Sequence, residues 1–207
     1  MTPITVTFKS QKREYAVPVE LSLCREARTL LSITEECRES QKANLDAGRT
    51  WAFFVNHRAA VEACLKGLCC LSLPGQEQLG RRGLAYTSLE KMAEALGDEP
   101  WGLRVSGVFD GGPIIKDLSI AAHCNVPAMK RLQKHDPVRI LADLDFLLSH
   151  LRVMVEAFES LRTTRVITID DESVLRQVER FHKARNVGKV LQMVRFYGRP
   201  SSNMRQK

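Results

Sequence analysis

The chain has 207 residues, 44% of them hydrophobic and 27% charged, which excludes wholesale disorder and collagen-like repeats and allows a core without metal or disulfide staples. Lys and Arg number 31 against 24 Asp and Glu, a formal charge of +7. Such an excess favours an acidic partner: nucleic acid, an acidic protein or a membrane surface. Ile4 to Phe8 alternate apolar and polar, the period of a half-buried strand. A polar connection, Lys9 to Arg13, leads to a second strand from Glu14 to Val19, giving a hairpin. Pro18 has no ladder donor, so this strand belongs near an edge. Leu21, Cys24, Ala27, Leu30 and Leu31 then share one helical face. Ser32-Ile33-Thr34-Glu35 reads as a capping box opening a second helical stretch towards Asn44, with a turn over 44–48.

Thr50 to Val55 is short, apolar and aromatic, and reads as a third strand. Asn56 is then the cap of a helix bearing Ala59, Ala60, Ala63, Cys64, Leu65 and Leu68, broken by Pro74-Gly75. Residues 74–86 have loop composition. A short helix follows, with Thr87 and Glu90 as its capping box and Gly97 as its stop. Residues 98–112 are glycine-rich around a brief strand at 103–109. From Pro113 the pattern is helical again through Leu118, Ala121, Ala122 and Cys124, with Asn125-Val126-Pro127 before Ala128, Met129 and Leu132. Asp136-Pro137 is a start signal for a long helix running through Ile140, Leu144, Leu151 and Phe158 to Leu161. Phe146 and Val153 lie off its main stripe, so a second side is covered, by the same subunit or by a partner. A short strand at 166–169 precedes a helix capped by Asp171 and bearing Val174, Leu175, Val178 and Phe181. Residues 190–197 fit strand and helix equally. From Arg185 to Lys207 there are six basic residues and no acidic one.

Six cysteines stand at 24, 37, 64, 69, 70 and 124. None is spaced C-x-x-C and most have apolar neighbours, which points to reduced, buried thiols in a cytoplasmic or nuclear protein. The N-terminus lacks the pattern of a signal peptide, and no apolar run approaches the roughly 20 residues of a membrane span. His57, His123, His135, His150 and His182 show no metal-binding spacing, and Gly111-Gly112-Pro113 lacks the lysine of a phosphate loop. With no nucleophile or acid–base pair at a working spacing, the expectation is a non-enzyme with no cofactor and no metal.

The hairpin 4–8/14–19, the helix 21–31, the strand 50–55 and the helix 57–71, with Leu118-x-x-Ala121-Ala122-x-Cys124-x-Val126-x-x-Met129 further on, resemble the BTB/POZ fold. The similarity is to its short branch, which holds elongin C and the F-box-binding adaptor of SCF ubiquitin ligases, and it spans residues 3–73 and 113–135. The resemblance implies a helix-rich α+β protein. Residues 1–136 would form a BTB/POZ-like domain, a three-stranded sheet with a helical cluster and an insertion at 74–112. Residues 137–207 would be a helical extension with a basic tail. It also implies a non-catalytic protein–protein interaction adaptor or scaffold subunit, of a cullin-type ubiquitin ligase or another multiprotein assembly; the expectation of no membrane partner comes separately, from the lack of a spanning apolar run. One partner would meet the helix 57–71 and the other the C-terminal helices, through apolar residues left exposed at Val174, Leu175, Val178 and Phe181. The small pair Ala121 and Ala122 would let two helices approach closely.

Residues 117–132 also read as a helix-turn-helix, with Ala121 in the first helix and Asn125 at the turn, although Arg131 falls where an apolar contact belongs. Lys130, Arg131 and Lys134 would then touch phosphates, joined by Arg195 and Arg199 of the tail. That alternative is a basic nucleic-acid-binding structural protein.

Overall fold

The computed structural model describes residues 4–19, 22–71, 88–96, 117–118, 120, 125–163, 165–184, 190 and 193. The period-two segments form the expected hairpin: β1 (Ile4–Lys9) runs antiparallel to β2 (Glu14–Val19), with Val6 opposite Val17 and Phe8 opposite Tyr15. Val6, Phe8 and Val17 turn inward and are buried. At the connection the Ser10 hydroxyl accepts the backbone N–H groups of Lys12 and Arg13. β2 is an edge strand in the order β2-β1-β3, which accommodates Pro18 without an orphaned ladder position.

The third strand is β3 (Val166–Thr168), parallel to β1. It is not the 50–55 segment, which is the first turn and a half of a helix, α2 (Thr50–Leu71). Trp51, Phe53, Phe54 and Val55 favour strands by residue type, but that preference is a weak one that packing overrides. Phe53, Phe54, His57, Ala60, Val61, Cys64, Leu65 and Leu68 form one buried helical face, and Asn56 lies inside the helix rather than capping it. The first helix is likewise unbroken, α1 (Ser22–Asp46). Within it the Thr34 hydroxyl donates back to the Leu30 carbonyl at 2.7 Å, a mid-helix arrangement rather than an N-terminal cap. The α1–α2 turn requires a left-handed residue, supplied by Gly48 at φ 66°.

The remaining helices carry their caps. In α3 (Leu89–Leu96) the Ser88 hydroxyl accepts the Lys91 N–H at 3.3 Å. Asn125 Oδ1 accepts the Ala128 N–H at 2.9 Å at the start of α4 (Val126–Leu132). Asp136 Oδ1 accepts the Val138 N–H at 2.9 Å ahead of α5 (Pro137–Thr163). Asp171 Oδ1 accepts the Ser173 N–H at 2.7 Å ahead of α6 (Glu172–Lys183). Of the other expectations, Thr87 and Gly97, the 74–86 loop, the strand at 103–109 and the pair Ala121–Ala122 lie outside the described residues.

Helix-rich α+β architecture therefore holds, and residues on both sides of position 136 share a core. A single large core joins β1 and β2 to α1, α2 and α3, and on to α5, β3 and α6, reaching Val190. α2 is its axis, packed by α1, α3 and α5. α5 meets α2 at Gly67, where an added Cβ would stand 2.9 Å from both methyls of Leu151. A smaller core at the opposite end gathers Phe53, Phe54, Leu118, Ala128, Met129, Leu132 and Ile140. Among the described residues, no helix is long and apolar enough to cross a membrane.

Candidate interaction site

The partner face expected on α6 is not free. Val174 is 4% exposed, Leu175 and Val178 are fully buried, and Phe181 packs half-buried against the same core. The cause is connectivity. Only Ile169 to Asp171 separate β3 from α6, and the Ile169 N–H is tied to the Lys9 carbonyl at 2.8 Å. The helix thus folds straight back over the chain's own sheet. Its polar side is pinned there too. Arg13 bridges Glu172 at 3.3 Å and Glu179 at 3.1 Å, and the Tyr15 hydroxyl meets His182 Nδ1 at 2.8 Å. The Ser10 hydroxyl and then Arg13 hold the Glu172 carboxyl below its ordinary range.

The helix 57–71, expected to meet another partner, is mostly interior: His57, Ala60, Val61, Ala63 to Leu65 and Gly67 to Leu71 are buried. Burial pushes the thiols of Cys64, Cys69 and Cys70 up to about 12, so they are protonated and poor nucleophiles at neutral pH. Burial drives His57 down to about 3. Its Nδ1 has no hydrogen-bond partner among the described residues, and its ring lies parallel to Phe53 at 6.3 Å. These groups serve packing.

The candidate phosphate-binding cations divide. Lys130 and Lys134 are exposed, whereas Arg131 is engaged: its guanidinium donates to the buried Asp117 carboxylate at 2.6, 2.9 and 3.0 Å. Ala128, Met129 and Leu132 take the inward positions of α4, which leaves Arg131 outside the core. Arg195 and Arg199 lie outside the described residues.

Two surfaces remain. On α5, Val138, Ala142 and Phe146 recur every fourth residue on the outer face, with Val138 65% and Phe146 47% exposed. The opposite stripe, with Ile140, Leu144, Leu147 and Leu151, is buried. Val153 is half-buried. Beside this face, the α1–α5 crease is matched in charge. Arg38 grips Asp145 with two bonds of 2.8 Å, Arg152 meets Glu35 at 2.6 Å, and Arg28 meets Glu159 at 3.0 Å.

The second surface is a cleft of about 340 Å³ at the α1–α2 turn, floored by Leu45, Phe53, Phe54 and Pro137 and edged by Thr50, Gln133 and His135. Trp51 and Val55 stand exposed on α2 in the same region. Sequence reasoning passed over this cleft because it placed Phe53 and Phe54 in a strand. A helical reading of Phe53, Phe54 and His57 as continuous with Ala60 and Val61 would have found its floor. Among the described residues, no group of three or more His, Cys, Asp or Glu side chains is gathered as a metal site requires. No protein family, no curated protein and no solved structure matches the chain.

Proposed function

We propose that this chain is a non-catalytic protein–protein interaction subunit, an adaptor or scaffold of a multiprotein assembly in the cytoplasm or nucleus. The observation that carries the reading is the outer face of α5, where Val138, Ala142 and Phe146 stand in water beside a fully packed inner face. An aromatic side chain on a rigid helix, in an apolar row, is the kind of anchor that dominates interface energetics. A helix presenting such a row at four-residue spacing suits a groove on a partner. The resemblance to the BTB/POZ adaptors points the same way and names a cullin-type ubiquitin ligase as the assembly, although the third strand comes from 166–168 rather than 50–55.

The test is affinity purification from the protein's own cells, comparing wild type with Val138→Asp/Phe146→Asp. The expected outcome is a stoichiometric partner held by the wild type and lost from the double variant, with the two melting alike. Recovery of a cullin or an F-box-like subunit would identify the class. A wild type that comes out alone and monomeric removes the proposal.

The second reading, a basic nucleic-acid-binding structural protein, is favoured by one observation: Lys130 and Lys134 are exposed at one end of α4. Binding of RNA or DNA that weakens steeply with added salt would support it.

A further inference from the structure

Building on the proposed role in protein–protein binding, we infer that the cleft at the α1–α2 turn is a docking site for an acidic segment of a partner protein that carries a bulky apolar side chain. The floor is apolar, made by Leu45, Phe53, Phe54 and Pro137. At about 340 Å³ it falls near the bottom of the roughly 300–1,000 Å³ range of small-molecule sites, room for an anchoring side chain rather than a large cofactor. The rim supplies the charge preference. Arg49 lies between the lining residues Gly48 and Thr50, and Lys134 lies between the lining residues Gln133 and His135. Both cations are exposed, and neither has an ion pair among the described residues. Lys130 adds a third charge one helical turn before Lys134.

Two acidic residues flank the same loops. The Asp136 carboxylate is committed to the α5 cap through the Val138 N–H at 2.9 Å, and Asp46 is exposed beside Leu45. Arg49, Lys130 and Lys134 outnumber Asp46 and Asp136 by one charge on the segments that flank the cleft, which a segment with Asp or Glu on either side of its apolar anchor complements.

Nucleic acid fits this geometry less well. Base stacking needs an uncovered aromatic face, and the floor offers none. Phe53 and Phe54 are 1% and 3% exposed, packed edge to face at 5.1 Å, and Phe53 lies flat against His57. Nor do two or three cations around a small cleft resemble a track along a phosphate backbone.

The experiment is selection of a random peptide display library on the immobilised full chain, with enriched peptides then measured by fluorescence anisotropy. Enriched peptides should place Asp or Glu around a Leu, Phe or Trp. Replacing that residue by Ala, or reversing charge in Arg49→Glu/Lys134→Glu, should each weaken binding by about tenfold or more. Gln133→Trp, which fills the cleft from its exposed edge, should also abolish binding at an unchanged melting temperature. No enrichment, peptides without the acidic–apolar pairing, binding indifferent to the cleft variants, or displacement of the peptides by single-stranded oligonucleotide would each overturn the inference. The wider reading fails separately. If Arg49→Glu/Lys134→Glu keeps the cellular partner that Val138→Asp/Phe146→Asp loses, the cleft assignment falls and the interaction role stands.

Discussion

The sheet end and the α1–α2 turn end of the molecule are built on the same three long helices, yet their chemistry differs. At the sheet end, apolar side chains from nearly every element meet in one core, and Arg13 above it is held between Glu172 and Glu179. At the turn end, a small core of seven buried residues sits under an open cleft, with cations such as Arg49 and Lys134 exposed. A packed core with satisfied charges yields stability and offers a partner little. A thin core beside exposed apolar and charged groups gives up stability and retains binding capacity.

Truncation breaks or sharpens this contrast with the largest effect. Phe158 is buried in the large core and Leu132 in the small one. Phe158→Ala is expected to cost about 3–5 kcal/mol and to lower stability globally, whereas Leu132→Ala should fall at the low end of about 2–5 kcal/mol, because a core beside a cleft relaxes more easily. Denaturant unfolding measures the totals. Hydrogen exchange should show Leu132→Ala loosening α4 first and leaving β1 protected. Equal losses, with exchange rising everywhere in both variants, would dissolve the distinction between the two ends.

The elements legible in the sequence were those whose signals are local. The β1–β2 alternation, the Asp171 cap and the Asp136-Pro137 start each appear where their residues put them. Readings failed where a local signal competed with long-range packing. The aromatic run at 50–55 favours strand by type, but only as a helix can Phe53 and Phe54 reach Met129, Leu132 and Ile140 in the small core. Ser32 to Glu35 has the letters of a capping box inside a helix that the α2 and α5 contacts keep whole. The amphipathic face of α6, expected to stay exposed for a partner, is buried instead. What it binds is the chain's own sheet, since a helix pattern records that a face needs covering and does not record by what. The cleft is assembled from three separate segments, and only the helical period of Phe53, Phe54 and His57 gives part of its floor a local signature.

His57 stands where the two cores meet, next to Phe53 of the small one and on the same helix face as Ala60 and Val61 of the large one. Its folded pKa is lowered from 6.5 to about 3. The buried ring stays neutral while the unfolded chain takes up a proton below about pH 6.5, so stability is full above that pH and falls as the pH drops towards 3. The slope from this one group is at most about 1.4 kcal/mol per pH unit. Chemical denaturation between pH 7 and pH 5 checks it, since paired carboxylates contribute only at lower pH. The wild type should lose stability across that window, and His57→Leu should lose much less. Parallel curves would mean that His57 is hydrated, and that the junction between the cores is wetter than either of them.

The smallest effect separates two neighbouring cations on α4, both expected from the sequence to touch phosphates. Lys130 is exposed with its charge in water, so Lys130→Ala should change stability by no more than about 0.5 kcal/mol. Arg131 reaches back to Asp117, whose side chain is only 8% exposed. Removing the guanidinium takes the bonds of 2.6, 2.9 and 3.0 Å from that carboxylate in a site that water reaches poorly, and weakening the compensation of a buried charge costs more than a lost surface contact. Arg131→Ala should therefore lower the melting temperature visibly, and Asp117→Asn in the same chain should return part of the loss by removing the buried charge. Nucleic-acid binding provides the cross-check. If Lys130→Ala alone weakened it while the fold stayed intact, the turn end would be reading phosphates, and its cations would belong to the rival function rather than to the rim of a peptide cleft.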